Sequence, residues 1–145
     1  MDLHKRIPRL VAVAIPVALL SACGFVAPPY TASVDNIQAL KNASGAHARV
    51  GTFDSQSSTK NYYPIALRAN VMCSPVGDSY GSYLADAMTK ELTMAGKLSP
   101  QSDVEIKATL IENHVDVGLA TGEAALSARF IVTRGGAIRY DQVKT

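Results

Sequence analysis

The sequence predicts an α+β domain, in which one main helix packs on a face of a small, mostly antiparallel sheet. Residues 65–73, 104–117 and 126–132 alternate apolar and polar side chains, which is the period of a half-buried strand. Residues 80–95 instead repeat apolar side chains every three or four positions, which indicates one face of a helix. Strands on both sides of a helix favour the α+β class.

The first elements are short. Ser33 is suited to cap a helix that ends before Gly45. Residues 46–53 then predict a strand, and the polar residues 54–61 predict a loop. The alternation over residues 65–73 predicts one further strand, with Cys73 on its apolar side.

The main helix has recognisable ends, because Asp78 or Ser79 can cap its start and Gly96 suits the C′ position. Three strands should follow it. In the first, the apolar phase inverts after Leu110, which suggests a bulge or a bend. Gly135-Gly136 is a two-residue hairpin signal, so residues 137–143 should return beside the preceding strand.

The length and the charge limit the function. A chain of 145 residues has room for one small domain besides its ends. The net charge of +2 comes from the first nine residues, and from Cys23 onward 11 basic side chains face 11 acidic ones. Binding of nucleic acid needs a surplus of Lys and Arg on one face, so we expect no nucleic-acid partner.

The N-terminus resembles a targeting segment. A basic start is followed by the 11 apolar residues 10–20 and then by small residues, which is typical of a secretory signal peptide over residues 1–22. A helix of that length spans roughly 16 Å, about half of the ~30 Å hydrocarbon layer. The alternative is a single-pass anchor over residues 10–27, which Pro16 disfavours.

Leu20-Ser21-Ala22-Cys23 resembles the lipobox of bacterial lipoproteins. The resemblance implies removal of the preceding peptide and attachment of diacylglyceryl to the Cys23 thiol. Residues 24–33 contain two prolines and no charge, so we expect residues 23–33 to form a semi-rigid tether between the lipid and the domain. Gly24 stands where an Asp commonly marks retention at the inner membrane, so we expect the periplasmic face of the outer membrane. With Cys23 acylated, Cys73 would be the only thiol, and no internal disulfide is expected.

The mature chain is similar to the YajG-like lipoproteins of Gram-negative bacteria. The segments that carry the similarity are Leu67-Arg68-Ala69-Asn70, Ser82-Tyr83-Leu84-Ala85-Asp86-Ala87, Lys90-Glu91-Leu92-Thr93-Met94-Ala95-Gly96-Lys97 and Ala128-Arg129-Phe130-Ile131-Val132. The resemblance implies an outer-membrane lipoprotein with a small periplasmic domain, here residues 34–145, and supplies no catalytic residues. Relatives continue beyond their last strand, so we expect this chain to be a copy truncated at its C-terminus.

Three polar residues form the best candidate for chemistry. Glu112, His114 and Asp116 alternate along a predicted strand, so they project from one side within reach of a divalent metal. Apolar residues point the other way, which is usual when one face of a strand meets water. The solvated face is the preferred interpretation, and we predict no metal and no cofactor.

An enzyme is the alternative function. Cys73 with His47 or His114 as its base would suit a small periplasmic hydrolase. The row of Glu112, His114 and Asp116 would suit a metal-binding enzyme. The alternation places Cys73 among the buried residues, where free cysteines commonly lie. We therefore predict no catalytic residues.

The favoured function is non-enzymatic binding at the envelope. Tyr62 and Tyr63 border the polar loop and are a candidate contact patch, since aromatic residues are enriched at interfaces. The expected partners are the membrane, through the lipid anchor, and an envelope protein or lipid that the sequence does not identify.

Overall fold

The computed structural model describes residues 24–118 and 121–145. The predicted signal peptide over residues 1–22, the predicted lipobox residues Leu20, Ser21 and Ala22 and the predicted lipidation site Cys23 lie outside the described residues. The elements are β1 (Phe25–Val26), α1 (Val34–Asn42), β2 (Arg49–Ser55), β3 (Ile65–Leu67), β4 (Asn70–Cys73), α2 (Tyr80–Met94), β5 (Val104–Val117), β6 (Gly122–Arg134) and β7 (Ala137–Lys144). The α+β class is confirmed. Neither helix of this described part is long and apolar enough to cross a membrane.

The strands form two mixed sheets, so the prediction of one mostly antiparallel sheet is wrong. The smaller sheet has the order β1-β4-β3 and the larger has the order β2-β5-β6-β7. Each contains one parallel pair, β1 with β4 and β2 with β5. Parallel neighbours need a crossover connection, and α2 supplies part of the one between β2 and β5. Alternation within a strand does not show the direction of its neighbour.

The predicted strand over residues 65–73 is a hairpin. β3 and β4 are antiparallel, with Ile65 opposite Met72 and Leu67 opposite Asn70. The turn between them is Arg68-Ala69, and Arg68 has a positive φ of 31°. Ile65 therefore shares a face with Met72, and both belong to the core or pack against it. The continuous alternation hid the turn, since neither turn residue is Gly or Pro.

The predicted ends of the main helix are confirmed. Ser79 is the N-cap of α2, and its side chain accepts a hydrogen bond from the Ser82 amide. Gly96 has a φ of 68°. The Gly96 amide donates to the Thr93 carbonyl at 3.0 Å and the Lys97 amide to the Leu92 carbonyl at 2.8 Å. These two bonds are the Schellman pattern.

The core lies where α2 and the smaller sheet meet the middle of β5 and β6. It consists of Ile65, Tyr80, Leu110 and Ala128. Burial raises the pKa of Tyr80 to about 12, and its hydroxyl donates to the Met72 carbonyl at 2.8 Å. Gly81 lets the first turn of α2 approach β2, because a Cβ there would lie 3.1 Å from the Phe53 carbonyl oxygen.

Cys73 is 3% exposed and disulfide-bonded. The expectation that no disulfide forms is therefore wrong in this structure. The chain's other cysteine is Cys23, which lies outside the described residues. Backbone pairing fixes Cys73 independently of its sulfur, since Val26 pairs with it and the Ala27 amide donates to its carbonyl at 2.9 Å.

Replacement of Leu110, which is 1% exposed, should strongly destabilise the domain. We expect Leu110→Ala to lower the free energy of unfolding by about 2–5 kcal/mol, through lost burial and a residual cavity. Leu126 is 50% exposed, so Leu126→Ala is the matched control, with an expected effect of about 0.5 kcal/mol or less. Urea unfolding followed by circular dichroism measures both; equal losses would contradict this placement of the core.

Candidate functional site

The long β5–β6 hairpin carries the candidate site on its outer half. β2 pairs with β5 only as far as Leu110, and β7 pairs with β6 only from Ala128 onward. Residues 112–117 and 122–127 therefore extend beyond the larger sheet; we call them the arm. Their pairing is continuous, from Glu112 opposite Ser127 to Val117 opposite Gly122.

The polar loop is fixed beside the arm by backbone hydrogen bonds. The Asn113 amide donates to the Lys60 carbonyl at 2.7 Å, and the Tyr62 amide donates to the Asn113 carbonyl at 3.2 Å. The Asn61 side chain adds bonds from its Nδ2 to the carbonyls of Gln56 at 2.7 Å and Leu110 at 3.0 Å. The loop therefore continues the sheet edge and brings Lys60 and Tyr62 to the arm.

A register shift sets the direction of the candidate polar row. The pairing of β5 with β6 shifts between Leu110 and Glu112, which confirms the bulge predicted from the inverted phase. Beyond it, Glu112, His114 and Asp116 share one side of the strand. The imidazole lies between the carboxylates, with Nδ1 3.6 Å from Glu112 Oε1 and Nε2 3.9 Å from Asp116 Oδ2.

The row and the loop enclose a groove with a volume of about 350 Å³. Three carboxylates and one lysine lie in it, and Lys60 Nζ is 3.8 Å from Glu112 Oε1. Asp116 and Glu123 are directly opposite on the two strands, an arrangement in which like charges repel. The groove suits a polar group that carries positive charge or donates hydrogen bonds. Its lining is Thr59, Lys60, Tyr62, Glu112, His114, Asp116, Glu123 and Ala125.

The same row does not form a metal centre in this geometry. Zinc needs ligand atoms at about 2.0–2.2 Å from one point. Within residues 24–118 and 121–145, no group of three or more His, Cys, Asp or Glu side chains is arranged to hold a metal ion. His114 Nδ1 is buried without a hydrogen-bond partner, which leaves the imidazole one unused polar atom beside the groove.

The structure separates the two tyrosines that the sequence grouped as one contact patch. Tyr62 lines the groove. The Tyr63 ring instead packs edge-on against Tyr80 of the core, with the ring centroids 5.6 Å apart. Both rings remain partly exposed, at 49% for Tyr62 and 40% for Tyr63. Tyr62 is therefore the residue of this pair that can contact a ligand in the groove.

The position and bonding of Cys73 do not support the hydrolase alternative. Its sulfur is in a disulfide and its side chain is buried, whereas a cysteine nucleophile must be a thiolate that substrate can reach. His114 lies on the arm, and the His47 carbonyl accepts a hydrogen bond from the Ser102 hydroxyl at 2.5 Å. The groove places no cysteine beside His114.

A second polar centre, which the sequence analysis missed, is Glu91 on α2. It is 6% exposed. Its Oε1 accepts from the Tyr30 hydroxyl, from the Ser33 amide at 2.9 Å and from Asn36 Nδ2 at 3.2 Å. The Tyr30 hydrogen bond is the main reason that the pKa of Glu91 is lowered, and the same bond raises the pKa of Tyr30.

Spacing alone could have identified Glu91. It lies three positions after Met88 and four before Ala95, and both belong to the apolar stripe of the helix. A carboxylate in such a stripe needs donors from elsewhere in the fold, because an isolated buried charge is costly. Those donors all come from the segment before α1 and from its first turn.

Loss of the Glu91 charge should destabilise the fold in a pH-dependent way. The folded-state pKa of Glu91 is below its ordinary value, so its contribution is present above the unfolded pKa and lost as pH falls through the folded pKa. We expect Glu91→Gln to lower the free energy of unfolding at pH 7 by about 1–3 kcal/mol. Below about pH 4.3, the unperturbed glutamate pKa, the difference from the wild type should shrink.

Urea unfolding between pH 3 and pH 8 measures this difference. Glu123→Gln makes the same change on an exposed side chain of the groove, and it should leave stability nearly unchanged. A constant gap between the wild type and Glu91→Gln at every pH would contradict the assignment.

Comparison with known proteins finds no match. No family model, no curated protein and no solved structure is similar enough to this chain to count as one. The similarity to YajG-like lipoproteins therefore stays a prediction.

Proposed function

We propose that this protein is a lipid-anchored domain at the periplasmic face of the outer membrane, and that it binds an envelope partner without catalysing a reaction. One observation carries the proposal: a basic start, a short apolar run and Leu20-Ser21-Ala22-Cys23 follow each other in the order of a lipoprotein leader. The resemblance to YajG-like lipoproteins supports the same location. Anchoring by two or more acyl chains is stable, whereas one chain gives only marginal binding.

The groove on the arm is the proposed contact surface. Its three carboxylates attract a partner that presents ammonium, guanidinium or amide donors. The exposed Tyr62 ring at its border adds apolar area and a face for a cation. Tethering raises the local concentration of the domain at the membrane, so a modest affinity for such a partner is sufficient.

Acylation of Cys23 and a disulfide at Cys23 would need the same sulfur atom. A thioether at Cys23 uses the sulfur that a disulfide of that cysteine would need. Cys73 is disulfide-bonded in the structure. The acylated protein would therefore differ from this structure in the covalent state of Cys73.

Substitution of Cys23 should abolish acylation. We expect the membrane fraction to contain a mature chain that begins at residue 23 and carries the diacylglyceryl and amide-linked acyl masses, and Cys23→Ser to lack both. Cys73→Ser is the matched control and should remain acylated. Intact-mass spectrometry with thiol labelling distinguishes the states. A chain that retains residues 1–22, or that joins its two cysteines without any acyl mass, would refute the anchor.

Crosslinking can test the groove inside the cell. A photoreactive phenylalanine analogue at Tyr62 should capture a partner, because the ring lines the groove. The same analogue at Tyr140, which is 37% exposed on β7, is the control for random encounters. The adduct should weaken when Asp116→Asn and Glu123→Gln are combined, since both remove attracting charge. Equal adducts at the two tyrosines would contradict the proposed surface.

A further inference from the structure

A second concave surface lies between the two helices, away from the groove on the arm. It has a volume of about 370 Å³ and is lined by Asn36, Ala39 and Leu40 of α1 and by Met88 and Glu91 of α2. Positions three and four apart in a helix share a face, so one face of α1 forms one wall and one face of α2 forms the other. We call this surface the α1–α2 cleft.

The cleft continues past Leu40 into a smaller apolar space. This space has a volume of about 220 Å³, and its lining includes Leu40, Leu92, Val104 and Ile106. α1 has no buried residue, so the helix covers both spaces without filling them. Sites for small molecules are typically clefts of about 300–1,000 Å³ with apolar walls and a few well-placed polar groups. The α1–α2 cleft has that size and that composition.

Glu91 is the charged residue of the cleft, and only one of its oxygens is hydrogen-bonded. Oε1 accepts from Tyr30, Ser33 and Asn36. Oε2 is buried without a hydrogen-bond partner among the described residues, in a side chain that is 6% exposed. A buried acceptor without a partner is costly to the fold. A ligand that donates a hydrogen bond to Oε2 therefore removes that cost when it binds.

The groups that donate to the Glu91 carboxylate are neutral. They are a tyrosine hydroxyl, a backbone amide and a side-chain amide. The neighbouring Lys90 instead pairs with Asp86, with 2.7 Å between Nζ and Oδ2. The Tyr30 hydrogen bond is the main reason that the pKa of Glu91 is lowered, so the carboxylate is ionised at neutral pH. The group that complements it is a cation with N–H donors.

We propose that the α1–α2 cleft binds a small amphipathic cation, namely a primary ammonium on a short alkyl chain. The ammonium donates to Glu91 Oε2, and the alkyl chain packs on Leu40 and Met88. Because Oε2 is covered, the ligand reaches it through a small displacement of α1, which buries none of its own residues. This site is separate from the groove on the arm, and it does not depend on the covalent state of either cysteine.

Titration of the ¹⁵N-labelled full chain with hexylammonium tests the site by nuclear magnetic resonance. We expect the backbone amides of Asn36, Ala39 and Leu40 to shift together, with a dissociation constant on the order of 1 mM. Hexanoate has the same chain with the opposite charge, and methylammonium has the same charge without the chain. Each should bind about tenfold more weakly or worse, because each lacks one of the two contacts.

Two pairs of variants locate the contacts. Glu91→Gln should weaken hexylammonium binding by about tenfold or more, whereas Glu123→Gln, the matched change on the arm, should leave it unchanged. Since Glu91→Gln also destabilises the fold, Ala39→Trp tests the cleft with the carboxylate intact. Its indole should occupy the cleft and weaken binding by a similar factor. Gln38→Trp places the same ring on the opposite, exposed face of α1 and should have no effect. Circular dichroism checks that each variant is folded.

Each result bears on the site. Shifts on α1 and α2 that require the Glu91 charge and are blocked by Ala39→Trp support it. Equal affinities for hexylammonium and hexanoate, or an unchanged affinity of Ala39→Trp, overturn it. Shifts confined to the residues that line the groove on the arm also overturn it, and they leave the proposed contact surface there in place. Absence of any shift at about 20 mM hexylammonium, where a site of the expected affinity is nearly saturated, overturns it as well.

Discussion

The buried carboxylate of Glu91 is the contact on which the position of the N-terminal segment depends. A charge removed from water must be compensated by hydrogen bonds, and Glu91 Oε1 obtains them from Tyr30, Ser33 and Asn36. Ser33 is also the N-cap of α1, so this oxygen lies at the positive end of a helix. One carboxylate thus joins Tyr30, the start of α1 and the last turn of α2. Without it, α1, which has no buried residue of its own, would lose the hydrogen bonds from Ser33 and Asn36 to α2.

Local sequence signals predicted local structure well. Ser33, Ser79 and Gly96 set helix ends through bonds within a few residues, and Gly135 and Gly136 take the positive φ that their hairpin needs. The signals failed where the deciding contact is distant or where a turn lacks a marker residue. Tyr30 and Glu91 are 61 positions apart, and the Arg68-Ala69 turn lies inside an uninterrupted alternation. The parallel neighbours of β4 and β5 are also set by long-range contacts.

The candidate site, like the fold, was predictable from the sequence only where local signals determine it. Alternation placed Glu112, His114 and Asp116 on one side of a strand. The inverted phase located the bulge that determines on which side of β5 these three residues lie. The groove itself needs the polar loop, whose attachment to Asn113 uses backbone groups that have no sequence signature. The two adjacent tyrosines also part, because Tyr62 lines the groove while Tyr63 packs on Tyr80. Treating the pair as one patch ignored that geometry.

Residues 25–33 contact the domain through bonds that do not use sulfur. A disulfide at Cys73 would fasten the N-terminal segment covalently beside β4, whereas a thioether at Cys23 leaves that task to noncovalent contacts. Those contacts are distributed: backbone pairing at Phe25 and Val26, and the Glu91 carboxylate further along. The backbone pairing and the Glu91 carboxylate therefore hold the N-terminal segment against the domain by hydrogen bonds that are separate from the Cys73 sulfur.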